Sequence, residues 1–136
     1  MTRTLILPDS IRERIIEHAV LERPLECVGL LAGIDGCVEQ DYRLVNEAKS
    51  ETRFFAAESL FQPMRAMREA GLDLLAIYHS HPASPAVPSR RDREENYYPD
   101  ALHVIVSLMD GEPTLRGWRM DSEGVEEVEL VTSPTP

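Results

Sequence analysis

Leu72-Asp73-Leu74-Leu75-Ala76-Ile77-Tyr78 is apolar at all but one position and runs directly into His79-Ser80-His81. An apolar run without alternation is the pattern of a central strand covered on both faces. Residues two apart on a strand point to one face, so His79 and His81 are expected side by side where this strand leaves the sheet. Downstream, Pro82, Pro85 and Pro88 punctuate a loop, and a short polar helix is expected from Ser89. A strong strand follows at Leu102 to Leu108, then two weaker ones at Leu115 to Met120 and Val125 to Val131, separated by Asp121 to Gly124.

Upstream, Glu58 to Ala70 reads as a helix stopped by Gly71, with Leu60, Phe61, Met64, Met67 and Ala70 on or near one face and Pro63 in the first turn. Before it, the apolar run Cys27 to Ala32 and the partly alternating Cys37 to Val45 flank Gly33-Ile34-Asp35-Gly36, which predicts an antiparallel hairpin. The chain starts with a short strand at Thr4 to Leu7. Pro8-Asp9-Ser10 then opens a helix whose stripe is Ile11, Ile15, Ile16, Ala19 and Val20, closed by Glu22-Arg23-Pro24. The order β-α-β-β-α-β-(helix)-β-β-β predicts an α/β sandwich, a mixed β-sheet with flanking helices. A chain of 136 residues suits one domain over 1–132, with 133–136 as a frayed tail.

Asp and Glu total 24 against 14 Lys and Arg, for a formal net charge of −10. Such a surface repels phosphate backbones and anionic lipid, so neither nucleic acid nor a membrane is expected as a partner. No apolar stretch approaches the roughly 20 residues that span a bilayer, and Leu5-Ile6-Leu7 is too short for a signal peptide. Cys27 and Cys37 are too few for a disulfide framework or a four-thiolate zinc site. A soluble protein of the reducing cytoplasm is expected.

The chemistry concentrates after the central strand. Two imidazoles on one face at a strand terminus are a preorganised pair of zinc ligands. A carboxylate is the natural third, since two His and one Asp leave a fourth tetrahedral position for water. Asp92 lies eleven residues beyond His81 and would supply it if the proline-rich loop turns back. Ser89 and Asp92 are three apart, so in a helical turn both side chains lie on one face. Taken alone, Ser89-Arg90-Arg91-Asp92 is equally a helix-capping pattern, and a His-x-His pair is often structural. Arg90, Arg91 and Arg93 form the densest basic cluster. They are either a solvated face balanced by Glu94 and Glu95 or a site for a carboxylate. His18 is expected in a solvated or boundary position on the flank of the first helix, His103 in the core or just behind the site, and Trp118 in the core.

His79-Ser80-His81, seven intervening residues, Ser89, two more and Asp92 resemble the signature of the JAMM (MPN+, Mov34-type) metalloproteases. The segment Pro24-Leu25-Glu26-Cys27-Val28-Gly29-Leu30-Leu31-Ala32-Gly33 is similar to the one that carries the family's upstream glutamate. The likeness extends through Asn46-Glu47-Ala48 and Ser107, and Ala57 departs from the aspartate expected there. The resemblance implies a cytidine-deaminase-like sandwich and one Zn²⁺ held by His79, His81 and Asp92. It implies Glu26 as general base and Ser89 as oxyanion donor. Within the family the chain looks like the short bacterial CysO–cysteine peptidase type, used in cysteine synthesis. Its substrate would then be an amide or isopeptide bond at the C-terminus of a ubiquitin-like sulfur carrier with a Gly-Gly tail. Arg90 or Arg91 would grip the adduct's carboxylate. A phage-tail or cell-wall peptidase of the same signature and a non-catalytic zinc-braced binding module are the competing readings. The resemblance leaves the oligomeric state open, with a homodimer among the arrangements it allows.

Overall fold

Each half of the chain contributes a strand-rich unit to one mixed sheet. The computed structural model describes residues 4–46, 60–96 and 98–133. In chain order the elements are β1 (Thr4–Pro8), α1 (Asp9–Glu22), β2 (Val28–Ile34), β3 (Cys37–Leu44), α2 (Phe61–Glu69), β4 (Asp73–His81), α3 (Arg90–Glu94), β5 (Leu102–Ser107), β6 (Thr114–Asp121) and β7 (Gly124–Ser133). This is the expected order. The predicted helix start at Glu58, the family-like Glu47 and Ala48, Ala57, and residues 134–136 lie outside the described residues.

The hairpin turn is set by local chemistry. Asp35 and Gly36 both take positive φ, 53° and 77°, the backbone that a two-residue hairpin loop requires. β2 pairs with β3 and with β4 antiparallel, whereas β4 and β5 run parallel, as they must when a loop and α3 cross over between them. The sheet curls further than a flat open layer and closes in the order β1-β3-β2-β4-β5-β6-β7. β1 makes the closure by pairing in parallel along β7, from Thr4↔Glu129 to Pro8↔Ser133, and touching β3 only at Ile6↔Cys37.

β4 is buried on both faces, and the two faces serve different partners. Ala76 and Tyr78 join Leu5, Leu7, Leu31, Val104 and Val106 under Ile11, Ile15 and Ala19 of α1. Ile77 joins Val28, Leu30, Leu44 and Met67 beneath α2. Each such fully buried aliphatic side chain contributes about 1.5–3 kcal/mol. By alternation, His79 and His81 share the α2-side face with Ile77. On α2 the inward side chains are Met64 and Met67. Phe61, expected on that face, is 74% exposed, and Val20 of α1 is 44% exposed.

His18 corrects an expectation. It is 3% exposed rather than solvated, and its Nδ1 lies 2.7 Å from the Tyr78 hydroxyl. Tyr78 can reach it because its ring lies across Gly29, where a Cβ would stand 2.1 Å from the ring. Burial, helped by the charge of Arg43, pushes the His18 pKa down to about 4. A neutral imidazole then accepts the tyrosine proton. Below pH 6.5 the unfolded chain protonates His18 while the folded one does not, so this contribution to stability falls as pH drops from 6.5 to 4. The whole effect is roughly 3 kcal/mol. Chemical denaturation of His18→Gln over this range should therefore show a shallower pH dependence than the parent, by that amount. Equal slopes would refute the assignment.

Candidate metal centre

Register builds the site before any side chain is considered. Val28 faces His79 across the β2–β4 ladder. Continuing that antiparallel register by two residues sets Glu26 across from His81 and Cys27 across from Ser80. The Ser80 N–H donates to the Cys27 carbonyl at 3.1 Å, in keeping with that alignment. Glu26, His79 and His81 thus share one face at one end of the sheet. Cross-strand neighbours on one face have Cβ atoms about 4.5–5.5 Å apart.

The proline-punctuated loop is held over this face by three anchors. The Ser107 hydroxyl donates to the Ser84 carbonyl at 2.6 Å, and Trp118 Nε1 donates to the Ala86 carbonyl at 3.0 Å. His81 Nδ1 lies 2.7 Å from the Pro85 carbonyl. A carbonyl only accepts, so Nδ1 carries a proton there, and in the neutral imidazole the lone pair then resides on Nε2. Trp118, expected simply as core, is also a fastener. Only its chemistry, a single N–H that must find an acceptor when buried, signals this second use.

Beyond the loop, Ser89 and Asp92 realise both readings of their spacing at once. Ser89 caps α3: its Oγ accepts from the Asp92 N–H at 3.1 Å, and its N–H donates to Asp92 Oδ2 at 2.9 Å. The same Oδ2 lies 3.2 Å from His79 Nε2 and 3.0 Å from His81 Nε2, which are 3.2 Å from each other. The cap is what aims the carboxylate at the histidines.

These three atoms form a nearly equilateral triangle. Tetrahedral zinc, with ligands about 2.0–2.2 Å away, needs its ligand atoms about 3.3–3.6 Å apart, so a small adjustment seats it. The side chains are closed off from solvent, at 0%, 3% and 4% exposure for His79, His81 and Asp92. Among the described residues this is the group of His, Cys, Asp or Glu side chains that could hold a metal ion. The donor set of two imidazoles and one carboxylate fits zinc.

The electrostatics follow from burial and proximity. Burial disfavours charge on Asp92, but hydrogen bonds from His79 and from protonated His81 outweigh it and hold the carboxyl well below the usual range. Burial lowers the pKa of His79. His81 is also desolvated, yet its contacts with Asp92 and the Pro85 carbonyl carry its pKa upward. Glu26 differs. It is 3% exposed, and its Oε1 has no hydrogen-bond partner among the described residues. Burial pushes its pKa up to about 8, moderated by His81 and Arg91 and reinforced by Asp92.

α3 divides the three arginines. Arg90 pairs with Glu94 at 2.8 Å and, with Arg93, lines a separate cleft of about 600 Å³ beside Pro88, Met120 and Asp121. Arg91 is the one whose charge is felt at Glu26. His103, on the site face one strand over, is buried, with Nε2 3.1 Å from Asn96 Oδ1. Burial lowers its pKa to about 4. It lies outside the cluster of metal-ligand atoms.

The chain is similar to known proteins over most of its length. The family model described as prokaryotic homologs of the JAB domain matches residues 8–121. The CysO-cysteine peptidase of Mycobacterium tuberculosis (strain ATCC 25618 / H37Rv) is 34% identical over 128 residues, covering 90% of this chain and 87% of that one. A probable TtuB-protein conjugate cleaving protease of Thermus thermophilus is 41% identical over 93 residues, which span 67% of this chain and 62% of that protein. Among solved structures, protein DSY2949 of Desulfitobacterium hafniense superposes with a TM-score of 0.89 at 29% identity, covering 98% of this chain and 94% of that one. The JAB1/MPN domain protein AF2198 of Archaeoglobus fulgidus shares the fold, with a TM-score of 0.64 at 22% identity over 94% of this chain and 97% of that one. The match over residues 8–121 and the peptidase relative aligned over 90% of this chain settle the lineage: this chain belongs to the prokaryotic JAB-domain family, in its short JAMM/MPN+ form.

Proposed function

We propose that this protein is a zinc-dependent metallopeptidase that hydrolyses an amide or isopeptide bond at the C-terminus of a ubiquitin-like sulfur-carrier protein. The observation that carries the proposal is a buried Glu26 whose Oε1 meets no hydrogen-bond partner among the described residues, set across from His81 on the face of the His79, His81 and Asp92 triangle. A buried carboxyl oxygen lacking a partner costs on the order of 1–3 kcal/mol. A domain using a metal only as a brace gains nothing from that cost, which weighs against the binding-module reading.

His79, His81 and Asp92 would hold one Zn²⁺. When bound, the ion supplies Lewis-acid polarisation of the scissile carbonyl and lowers the pKa of a water from about 15.7 toward roughly 7. Glu26 takes the proton of the attacking water and returns it to the leaving amine, a shuttle between two substrate-side atoms that suits a carboxyl shifted toward neutrality. Ser89 spends its oxygen on the Asp92 N–H. As a hydroxyl it keeps one O–H to donate to the oxyanion, and such a donor is worth about 2.7–4 kcal/mol. Arg91, whose charge acts on Glu26, would bind the carboxylate of an amino-acid adduct, with Arg90 as the other candidate.

Two relatives are named for cleaving a CysO–cysteine linkage and a TtuB–protein conjugate, and their names support the substrate class. The test is to incubate the zinc-loaded protein with candidate sulfur carriers bearing a C-terminal amino acid and to follow carrier mass. We expect loss of the terminal residue, and a roughly 10–100-fold higher KM when the adduct's carboxylate is amidated, since a charge-assisted hydrogen bond is worth about 1.5–3 kcal/mol. Intact carriers alongside cleavage of cell-wall peptides would favour the cell-wall reading.

A further inference from the structure

The peptide unit joining Glu26 to Cys27 is gripped from both sides by side chains. Its carbonyl accepts from Asn46 Nδ2 at 2.8 Å, and its N–H donates to Ser80 Oγ at 2.8 Å. In a trans peptide the C=O and N–H point in opposite directions, so the two contacts hold the plane from opposite edges. Both holders are interior residues, Ser80 at 0% exposure and Asn46 at 9%. They come from different elements, Ser80 from within β4 and Asn46 from the chain just past β3. β2 begins only at Val28, so the regular ladder does not orient this plane. Rotation of the plane changes ψ of Glu26 together with φ of Cys27, so holding the plane restrains how the backbone presents the glutamate side chain.

We propose that Ser80 and Asn46 are positioning residues that aim Glu26 at the reacting atoms. Ser80 stands between His79 and His81 but points to the opposite face of β4, so it reaches Glu26 through the backbone of Cys27. One strand end therefore delivers the two imidazoles to one face and orients the base from the other. This inference rests on the reading of Glu26 as general base.

The test is a double-mutant cycle on the zinc-loaded protein. Ser80→Ala should keep one metal per chain, lower kcat roughly 10–100-fold with KM unchanged, and speed hydrogen exchange at the Cys27 amide. A misplacement of about 1 Å is known to cost as much as 10²-fold. Ser80→Thr, which retains the hydroxyl, should restore both kcat and the protection of that amide. In a Glu26→Gln background, Ser80→Ala should lower kcat no further, because the group it positions is already disabled. Asn46→Ala should behave in the same way and serves where Ser80→Ala folds poorly. An equal loss in the Glu26→Gln background, or a lowered Tm with unchanged kcat, would overturn the positioning role. Full activity of Glu26→Gln alone would instead overturn the base assignment beneath it.

Discussion

Replacing Glu26 with glutamine is expected to lower kcat by roughly 10²–10⁴, the span of general acid–base contributions, while zinc content and fold stay intact. The substitution is nearly isosteric, so the packing of a residue only 3% exposed is preserved. It removes the one property that the position provides to chemistry, a proton acceptor whose Oε1 is hydrogen-bonded by none of the described residues. His79, His81 and Asp92 owe their arrangement to the β2–β4 register, the Pro85 carbonyl and the Ser89 cap, none of which involves the Glu26 side chain. Metal content should therefore remain at one ion per chain by elemental analysis. KM should change little, because the carboxylate acts on protons moving in the transition state rather than on substrate affinity. Undiminished kcat in the Glu26→Gln variant would remove Glu26 from the mechanism, whatever the metal content.

Much of this site is legible in one dimension because strands make register a matter of parity. His79 and His81 two apart, and Glu26 and Val28 two apart, settle which side chains share a face once β2 and β4 are known to pair. The Ser89 to Asp92 spacing is legible too, though it admits a capping reading and a site reading. The geometry makes these one device, since the carboxylate that completes the capping box also meets the histidines. Glu26 is different. Its role depends on a strand pairing between residues more than fifty positions apart, and only the resemblance to JAMM proteases points to it.

Other features escaped for physical reasons of the same kind. His18 sits three residues after Ile15 and seven after Ile11, at helical spacing for burial, but its polarity argues for solvent unless one knows that the Tyr78 hydroxyl is waiting across Gly29. Barrel closure depends on β1 pairing with β7, residues at opposite ends of the chain, and no local pattern encodes that contact. The anchors Ser107 and Trp118 act on backbone carbonyls of the proline loop. Carbonyls are common to every residue, so the sequence carries no sign of which ones are met.

Loss of the metal is the other large effect expected. Asp92→Asn keeps an oxygen able to accept from the Ser89 N–H, so the cap on α3 survives, but it removes the anionic ligand between two imidazoles. His79→Ala removes a ligand without touching the cap at all. Both variants should purify without stoichiometric zinc and lack measurable peptidase activity, and chelation of the parent protein should produce the same loss, reversed by added zinc. Thermal unfolding separates a vacated site from a broken fold. An ion that binds only the folded chain stabilises it by about 4.1 kcal/mol at a thousandfold excess over Kd, on the order of 10 °C in Tm for a domain of this size. Parent protein should show that rise on zinc addition and the two variants should not, while all three, metal-free, melt cooperatively. Cooperative melting is expected because the cores under α1 and α2 are built from Leu5, Ile15, Leu31, Val104, Val28 and Met67, none of which depends on an ion. A zinc-induced rise in Tm retained in His79→Ala and Asp92→Asn would show that the ion binds elsewhere, and the triangle of His79, His81 and Asp92 would lose its assignment as the metal centre.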